Sequence, residues 1–447
     1  MKKMIQLLIG LAAGGFLALP SVRAQASYTT PYTFITIAGT ALGNGGRDGT
    51  NGAAQFYWPE GITVDTNGNL YVVDNFENTI RKVAPVGTNW VATTIAGTTN
   101  NSGSADGTNG AAWFNEPTGI ALDGSGNLYV ADGGNNTIRK LTPVGTNWVV
   151  TTIAGTAGNI GSADGTNQAA SFYYPSGVAV DTNGNVFVAD ASNDTIREVT
   201  PVGTNWVVTT IAGTAGVNSS GDGTNGAAQF SGPSGLALDG AGNLYVADTS
   251  NDTIRKLTPV GTNWVVTTIA GQAGNSSSAD GAGLGARFNF PIGIAADTNG
   301  SLYVADTYNH TIRIIAPAGT NWVVSTLAGV PGSPGGSDGI IWQALFNYPQ
   351  CLTVDGTGRV FVGDTINGTI RMGLLTPVPD LVISPAVPDG VVVSWPGADV
   401  FTLQTNADLT TINWVNYGGI PVAGNGTNSV TLAPAAGQLF FRLSINP

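Results

Sequence analysis

Three observations on this 447-residue sequence predict an all-β fold: a six-bladed β-propeller of four-stranded blades, closed by its own N-terminal strand. A 58-residue unit recurs six times in register. Each unit holds four short apolar runs separated by turns, with no helical period. The ending of the fourth run occurs once before the first unit and is missing after the last. A period of this size marks a propeller or a solenoid, and six blades fall in the usual range.

The register rests on fixed residues. Pro-x-Gly starts at Pro59, Pro117, Pro175, Pro233 and Pro291, and again at Pro349, where Cys351 replaces the glycine. Asp-Gly stands eleven residues earlier, led by Asp48, Asp106, Asp164, Asp222, Asp280 and Asp338. Phe56, Phe114, Phe172, Phe230, Phe288 and Phe346 recur as constant, core-type residues. Asp74, Asp132, Asp190, Asp248, Asp306 and Asp364 close a Tyr/Phe-Val-x-Asp run, and Thr-Ile-Arg follows at Arg81, Arg139, Arg197, Arg255, Arg313 and Arg371.

In the second copy, the apolar run 119–122 is a strand. The turn Asp123-Gly124-Ser125-Gly126 follows, because glycine accepts positive φ and aspartate caps its own backbone. Strands over 128–131, 137–142 and 148–154 complete the unit, β-branched residues favouring extension. Ile/Leu-Ala-Gly ends the fourth strand at Gly39, Gly97, Gly155, Gly213, Gly271 and Gly329. The Gly-Thr-Asn-Trp turn that introduces that strand occurs five times and is absent after Arg371. Residues 32–39 are therefore expected to supply the outer strand of the last blade and remove its open edge.

The repeated pattern, from Phe-x-x-Pro-x-Gly through Gly-Asn-Leu-Tyr-Val-Ala-Asp to Asn-x-Thr-Ile-Arg-Lys, resembles the NHL repeat over residues 32–377. The resemblance is specific for fold and implies little about function, because such propellers include scaffolds, RNA binders, lyases and relatives of gluconolactonase-type enzymes. The amidating lyases of this fold use a histidine-ligated metal, and this chain has one histidine, His310. The lactonases use Glu, Asn and Asp around a central metal, with the Asn in Pro-Asn-Gly. Here the residues after the six prolines are Glu60, Thr118, Ser176, Ser234, Ile292 and Gln350. Glu60 could be one ligand, but its partners are missing.

The first 26 residues read as a secretory signal: Lys2 and Lys3, an apolar stretch from Met4 to Leu19, and small residues around Ala24 and Ala26. A membrane anchor fits less well, since the stretch is short and a cleavage pattern follows at once. The protein is expected to be secreted, periplasmic or on the cell surface, with no membrane insertion after cleavage. Cys351 is the single cysteine, so no intrachain disulfide can form. The net charge is -12, and an acidic surface repels phosphate backbones, so nucleic acid is not an expected partner. Residues 380–447 lack the repeat and alternate in short runs around Gly390 to Trp395, Val400 to Thr405, Ser429 to Leu432 and Leu439 to Leu443. They predict a small β-sandwich, loosely similar to a fibronectin type III module, with Trp395 and Trp414 in its core.

No catalytic residue, metal or cofactor is assigned. Aspartates that recur once per blade are expected to serve the blade. Asp65 to Asn69 offers oxygens to calcium, but Phe76 stands where a calcium loop places its bidentate Glu. His310 reads as a surface loop residue and Cys351 as a buried small one. What varies between copies is more telling. Two loops per blade share one face, and their variable positions include Trp58, Glu60, Phe76, Glu77, Tyr174, Phe290, Tyr308, His310 and Tyr348. Rings beside polar groups suit a sugar or a peptide. Trp58, Glu60, Phe76, Tyr174, Phe290, Tyr308 and Tyr348 form the expected ligand site of a binding scaffold for a protein or carbohydrate. The alternative is a hydrolase or lactonase using a metal near Glu60.

Overall fold

A computed structural model describes residues 31–376 and, in the C-terminal region, 381–385, 391–396, 401–406, 415–419, 421–424, 427–432 and 440–445. The expected signal over residues 1–26, and Trp414, lie outside the described residues. Among those described, no helix is long and apolar enough to cross a membrane.

Residues Tyr32–Leu374 form one compact unit of six antiparallel sheets. The innermost strands are Pro59–Val64, Pro117–Leu122, Pro175–Val180, Pro233–Leu238, Pro291–Ala296 and Pro349–Val354. Each touches the next around an axis, and the last touches the first, so the ring is shut. In blade two the chain continues through Leu128–Asp132, Thr137–Val144 and Asn147–Ala154, each pairing with its predecessor.

Each blade has five strands rather than the four expected. Gly107–Thr108 pairs with the outer strand at Val149 and Val150, and its counterparts do the same elsewhere. The extra strand is two residues long, too short to show an alternating pattern in the sequence.

The closure is as expected. Tyr32–Ala38 lies between Thr369–Leu375 and Gly339–Ile340 in the last sheet. Its side chains complete a repeated contact. Tyr71, Tyr129, Phe187, Tyr245 and Phe361 each meet a tryptophan of the following blade edge to face: Trp148, Trp206, Trp264, Trp322 and Trp90. Tyr303 meets Tyr32 at 6.5 Å and 75° instead. Phe34, fully buried, packs edge to face on Phe346 at 5.2 Å.

The apolar cores lie between blades. Tyr129, Ala131 and Ile138 of blade two pack with Phe172, Val186 and Val188 of blade three. The glycine of Pro-x-Gly is required by this closeness. A Cβ at Gly177 would strike the backbone carbonyl of Ser234 in the next blade.

Within each blade a buried arginine ties the layers. Arg139 Nη1 donates to Asp132 Oδ2 at 2.7 Å and to the Trp113 carbonyl, while Nη2 donates to Asp106 Oδ1 at 2.9 Å and to the Ala105 carbonyl. Its guanidinium stands 5.1 Å from the Phe114 ring centroid. Asp132 also accepts the Asn115 amide and the Asn135 side chain. All six arginines are fully buried and make both ion pairs. The recurrent aspartates and the constant phenylalanines thus hold each blade together. Asp65 is likewise engaged: Oδ1 accepts the Asn67 and Asn69 amides, and Oδ2 accepts the Asn69 side chain.

In the C-terminal region, two small sheets form from Val382–Pro385, Val391–Pro396, Thr427–Leu432 and Val422–Gly424, and from Val415–Asn416, Phe401–Asn406 and Phe440–Ile445. Trp395, Val393, Leu403, Val430 and Leu443 are buried, so Trp395 is a core residue as expected.

Candidate binding site at the propeller mouth

The residue before each innermost-strand proline has left-handed backbone: Trp58, Glu116, Tyr174, Gly232, Phe290 and Tyr348, with φ from 46° to 63°. That conformation is unfavourable for bulky residues and doubly so before proline. The fold recovers the cost through a bond from the preceding blade. The amide N–H of Glu116 donates to Asn78 Oδ1, that of Tyr174 to Asn136 Oδ1, that of Gly232 to Asp194 Oδ1, and that of Phe290 to Asp252 Oδ1, at 2.7–2.8 Å. Tyr348 donates to His310 Nδ1 at 3.2 Å. The acceptors are themselves left-handed, with φ of 55° to 59°. At the last junction the acceptor position is Gly368, which has no side chain to offer Trp58. There Thr365 Oγ1 donates to the Pro59 carbonyl at 2.9 Å.

These corners hold side chains at the mouth. Tyr57 meets Phe76 at 4.2 Å between centroids, and Trp58 meets Phe76 at 5.5 Å. Phe290 stacks on Tyr308 at 4.6 Å, and Tyr308 meets Tyr348 edge to face at 5.4 Å. Trp58, Phe76, Tyr308 and Tyr348 are 37%, 48%, 47% and 37% exposed. The aromatic groups belong to blades five, six and one, which are consecutive around the ring. Tyr174 stands apart, on blade three, beside Glu116 and Glu60.

The axis below is narrow. Glu60, Thr118, Ser176, Ser234, Ile292 and Gln350 line a cavity of about 100 Å3. Thr118 is already engaged, its hydroxyl 3.0 Å from the Pro175 and Ser176 carbonyls. Burial, with the charge of Glu116 behind it, pushes the Glu60 carboxyl up to about 8, so it is protonated at neutral pH. Burial also pushes the phenol of Tyr174 upward, with Glu60 and Glu116 adding to the effect.

Two expectations are corrected. His310 is buried, 6% exposed, and serves as the acceptor that holds Tyr348. Glu77 is 3% exposed and lies against Gly46 in the loop that leads into the blade. It replaces the asparagine that in blade two, Asn135, donates to Asp132 and to the Gly103 carbonyl. The variable residue of that loop that reaches solvent is its neighbour, Phe76. Cys351 is buried, as expected, with Sγ 3.5 Å from the Pro59 carbonyl. The backbone corners themselves were missed, although bulky residues before five of the six aligned prolines were visible in the repeat.

The fold and this mouth define a six-bladed β-propeller with a loop-built face over a nearly filled axis. Residues 56–79, 114–141, 172–197, 230–257 and 288–315 match the NHL repeat. The chain belongs to the NHL-repeat proteins. The chloroplastic protein Suppressor of Quenching 1 of Arabidopsis thaliana is 31% identical over 288 residues, covering 62% of this chain and 26% of that protein. NHL repeat-containing protein 2 of Gallus gallus is 29% identical over 346 residues, covering 70% of this chain and 46% of that protein. The chain therefore spans less than half the length of these curated relatives. Among solved structures, a Bacteroides thetaiotaomicron protein of unknown function aligns with a TM-score of 0.59 and 22% identity, over 76% of this chain and 75% of that one. An auxiliary nutrient binding protein of Bacteroides ovatus aligns with a TM-score of 0.57 and 19% identity, over 79% of each chain. Identities this low speak for the fold.

Proposed function

We propose that this is an exported binding scaffold that takes a glycan or protein ligand on the propeller mouth. The observation that carries the reading is the set of exposed rings, Trp58, Phe76, Tyr308 and Tyr348, held on or beside left-handed corners. Exposing large rings forgoes burial, and fixing them on strained backbone adds a further cost, a combination typical of binding surfaces. The axial cavity is smaller than the roughly 300 Å3 of an ordinary small-ligand pocket. The ligand therefore rests on the mouth, with rings from blades five, six and one on one side, Glu116 and Tyr174 on the other, and Glu60 at the axis. The nutrient-binding role named for the Bacteroides ovatus neighbour is consistent with this reading.

The test uses the full exported chain on glycan and peptide arrays. Gly232 occupies one corner naturally, so Trp58→Gly and Tyr348→Gly relieve strain while deleting rings. The expected result is retained thermal stability with capture weakened by at least about tenfold, as for hot-spot aromatics. Capture unchanged in both variants, or no capture on either array by the parent chain, overturns the reading.

A further inference from the structure

The outer edge of the propeller carries a repeated clasp. In blades one to four, an asparagine after the short fifth strand bonds twice to the outer strand. Asn225 Nδ2 donates to Asn263 Oδ1 at 2.8 Å, and its Oδ1 accepts the Trp264 amide at 2.7 Å. Asn51, Asn109 and Asn167 do the same with Asn89 and Trp90, Asn147 and Trp148, and Asn205 and Trp206. These asparagines have φ of 50° to 53°. In blade five the position is Gly283, with φ of 47°. The backbone path is kept and the clasp is gone.

Blade six, with Ile341 at this position, also lacks the clasp, but beside Gly283 a groove of about 440 Å3 opens between blades four and five. Asn321 and Trp322, the residues a clasp would have engaged, line it with Lys256, Thr267 and Thr320. The Lys256 ammonium stands 5.8 Å from the Tyr245 ring centroid and pairs with no carboxylate among the described residues. The groove thus offers a half-buried indole, a free amide side chain, a hydroxyl rim and one uncompensated cation, within the size range of small-ligand sites. An indole beside amide and hydroxyl groups suits a pyranose ring, and the ammonium adds selection for a carboxylate on that ring.

We propose that the groove between blades four and five, opened by Gly283, is a binding site for an acidic sugar, a hexuronate alone or at the end of a chain. It is separate from the mouth and lies on the outer edge of the propeller.

Calorimetric titration of the full chain with galacturonic acid, its trimer and galactose tests this. The acid is expected to bind and galactose to bind about tenfold more weakly, the worth of one charge-assisted bond. Trimer binding stronger than monomer would assign the site to a chain end, and equal binding to the free sugar. Lys256→Gln should remove the preference for the acid. The decisive variant is Gly283→Asn. A Cβ there meets nothing closer than 3.6 Å, so asparagine can rebuild the clasp seen in four blades. It should abolish binding while leaving the melting temperature equal or higher. Binding that survives Gly283→Asn overturns the proposal. So does a Lys256→Gln variant that keeps the preference, or the absence of binding by either acid up to about 10 mM, where even millimolar affinity registers.

Discussion

His310 is the chain's single histidine, and its imidazole accepts the Tyr348 amide through Nδ1. Burial pulls its protonation below the ordinary histidine range, and protonation would remove the acceptor. Its contribution to stability is therefore present above roughly pH 6.5, the unfolded value, and lost as pH falls through the lower folded value. The lone imidazole proton resonance should titrate below the ordinary value. His310→Asn should keep the latch, since Asn78 and Asn136 perform it elsewhere, and His310→Ala should cost about 1 kcal/mol in denaturant unfolding. Glu60 has the opposite sign of behaviour. Its carboxyl is raised to about 8, so the folded state holds a proton the unfolded chain releases from roughly pH 4.3 upward, and stability declines across that window. Glu60→Gln mimics the protonated form. Its melting temperature should match the parent only below about pH 4, under the unfolded value, and exceed it increasingly up to pH 8. The sequence showed Glu60 as the lone acid after the six prolines, but its protonation depends on depth and on Glu116, which sequence order does not place. The Cys351 exchange shows a similar limit. Position 363 is Gly where other copies have Val73 or Ala131, and a Cβ at Gly363 would strike the Cys351 sulfur. Two substitutions twelve residues apart are one packing event, visible only once the strands are paired.

At the scale of elements, the buried arginines divide legible from illegible. That the Thr-Ile-Arg arginine and the strand-end aspartate serve the blade was legible from their recurrence at fixed spacing, and the structure pairs them. The second partner was not legible: Asp106 lies 33 residues upstream of Arg139, across the inter-blade loop. Burial lifts the Asp132 carboxyl to about 6 against the pull of Arg139, leaving it ionised at neutral pH. Removing the arginine would strand that charge. Arg139→Met should lower stability by about 3–5 kcal/mol, read from the denaturant midpoint. The closing strand makes its own prediction. Phe34→Ala should cost about 3–5 kcal/mol, and deletion through Gly39 should lower the melting temperature more, by exposing the edge of Thr369–Leu375. An unchanged melting curve for the deletion would refute the contribution of that strand. Four strands per blade were legible from alternation and turn residues, and the fifth was not, because Gly107–Thr108 is too brief to alternate.

At the scale of the whole molecule, symmetry made the fold readable, and departures from symmetry mark the two proposed sites. Six equal periods fixed the ring, and the leftover ending at Gly39 fixed its closure. The mouth was legible as a set of variable positions, but the grouping into an aromatic arc and an acidic corner required the ring order. The groove at Gly283 was illegible because the loss of one asparagine matters only beside the outer strand it would have bonded. The seam has one more consequence. Thr36 bonds Asp338, 302 residues further along the chain. A polypeptide leaving the ribosome or a translocation pore from its N-terminus must carry its first strand unpaired until nearly the whole repeat has emerged. Such a lone hydrogen-bonding edge invites pairing with a neighbouring nascent chain. Assembly therefore waits for the final repeat, and a chaperone that shields residues 32–38 should raise the yield of the finished ring more than one acting on any later segment.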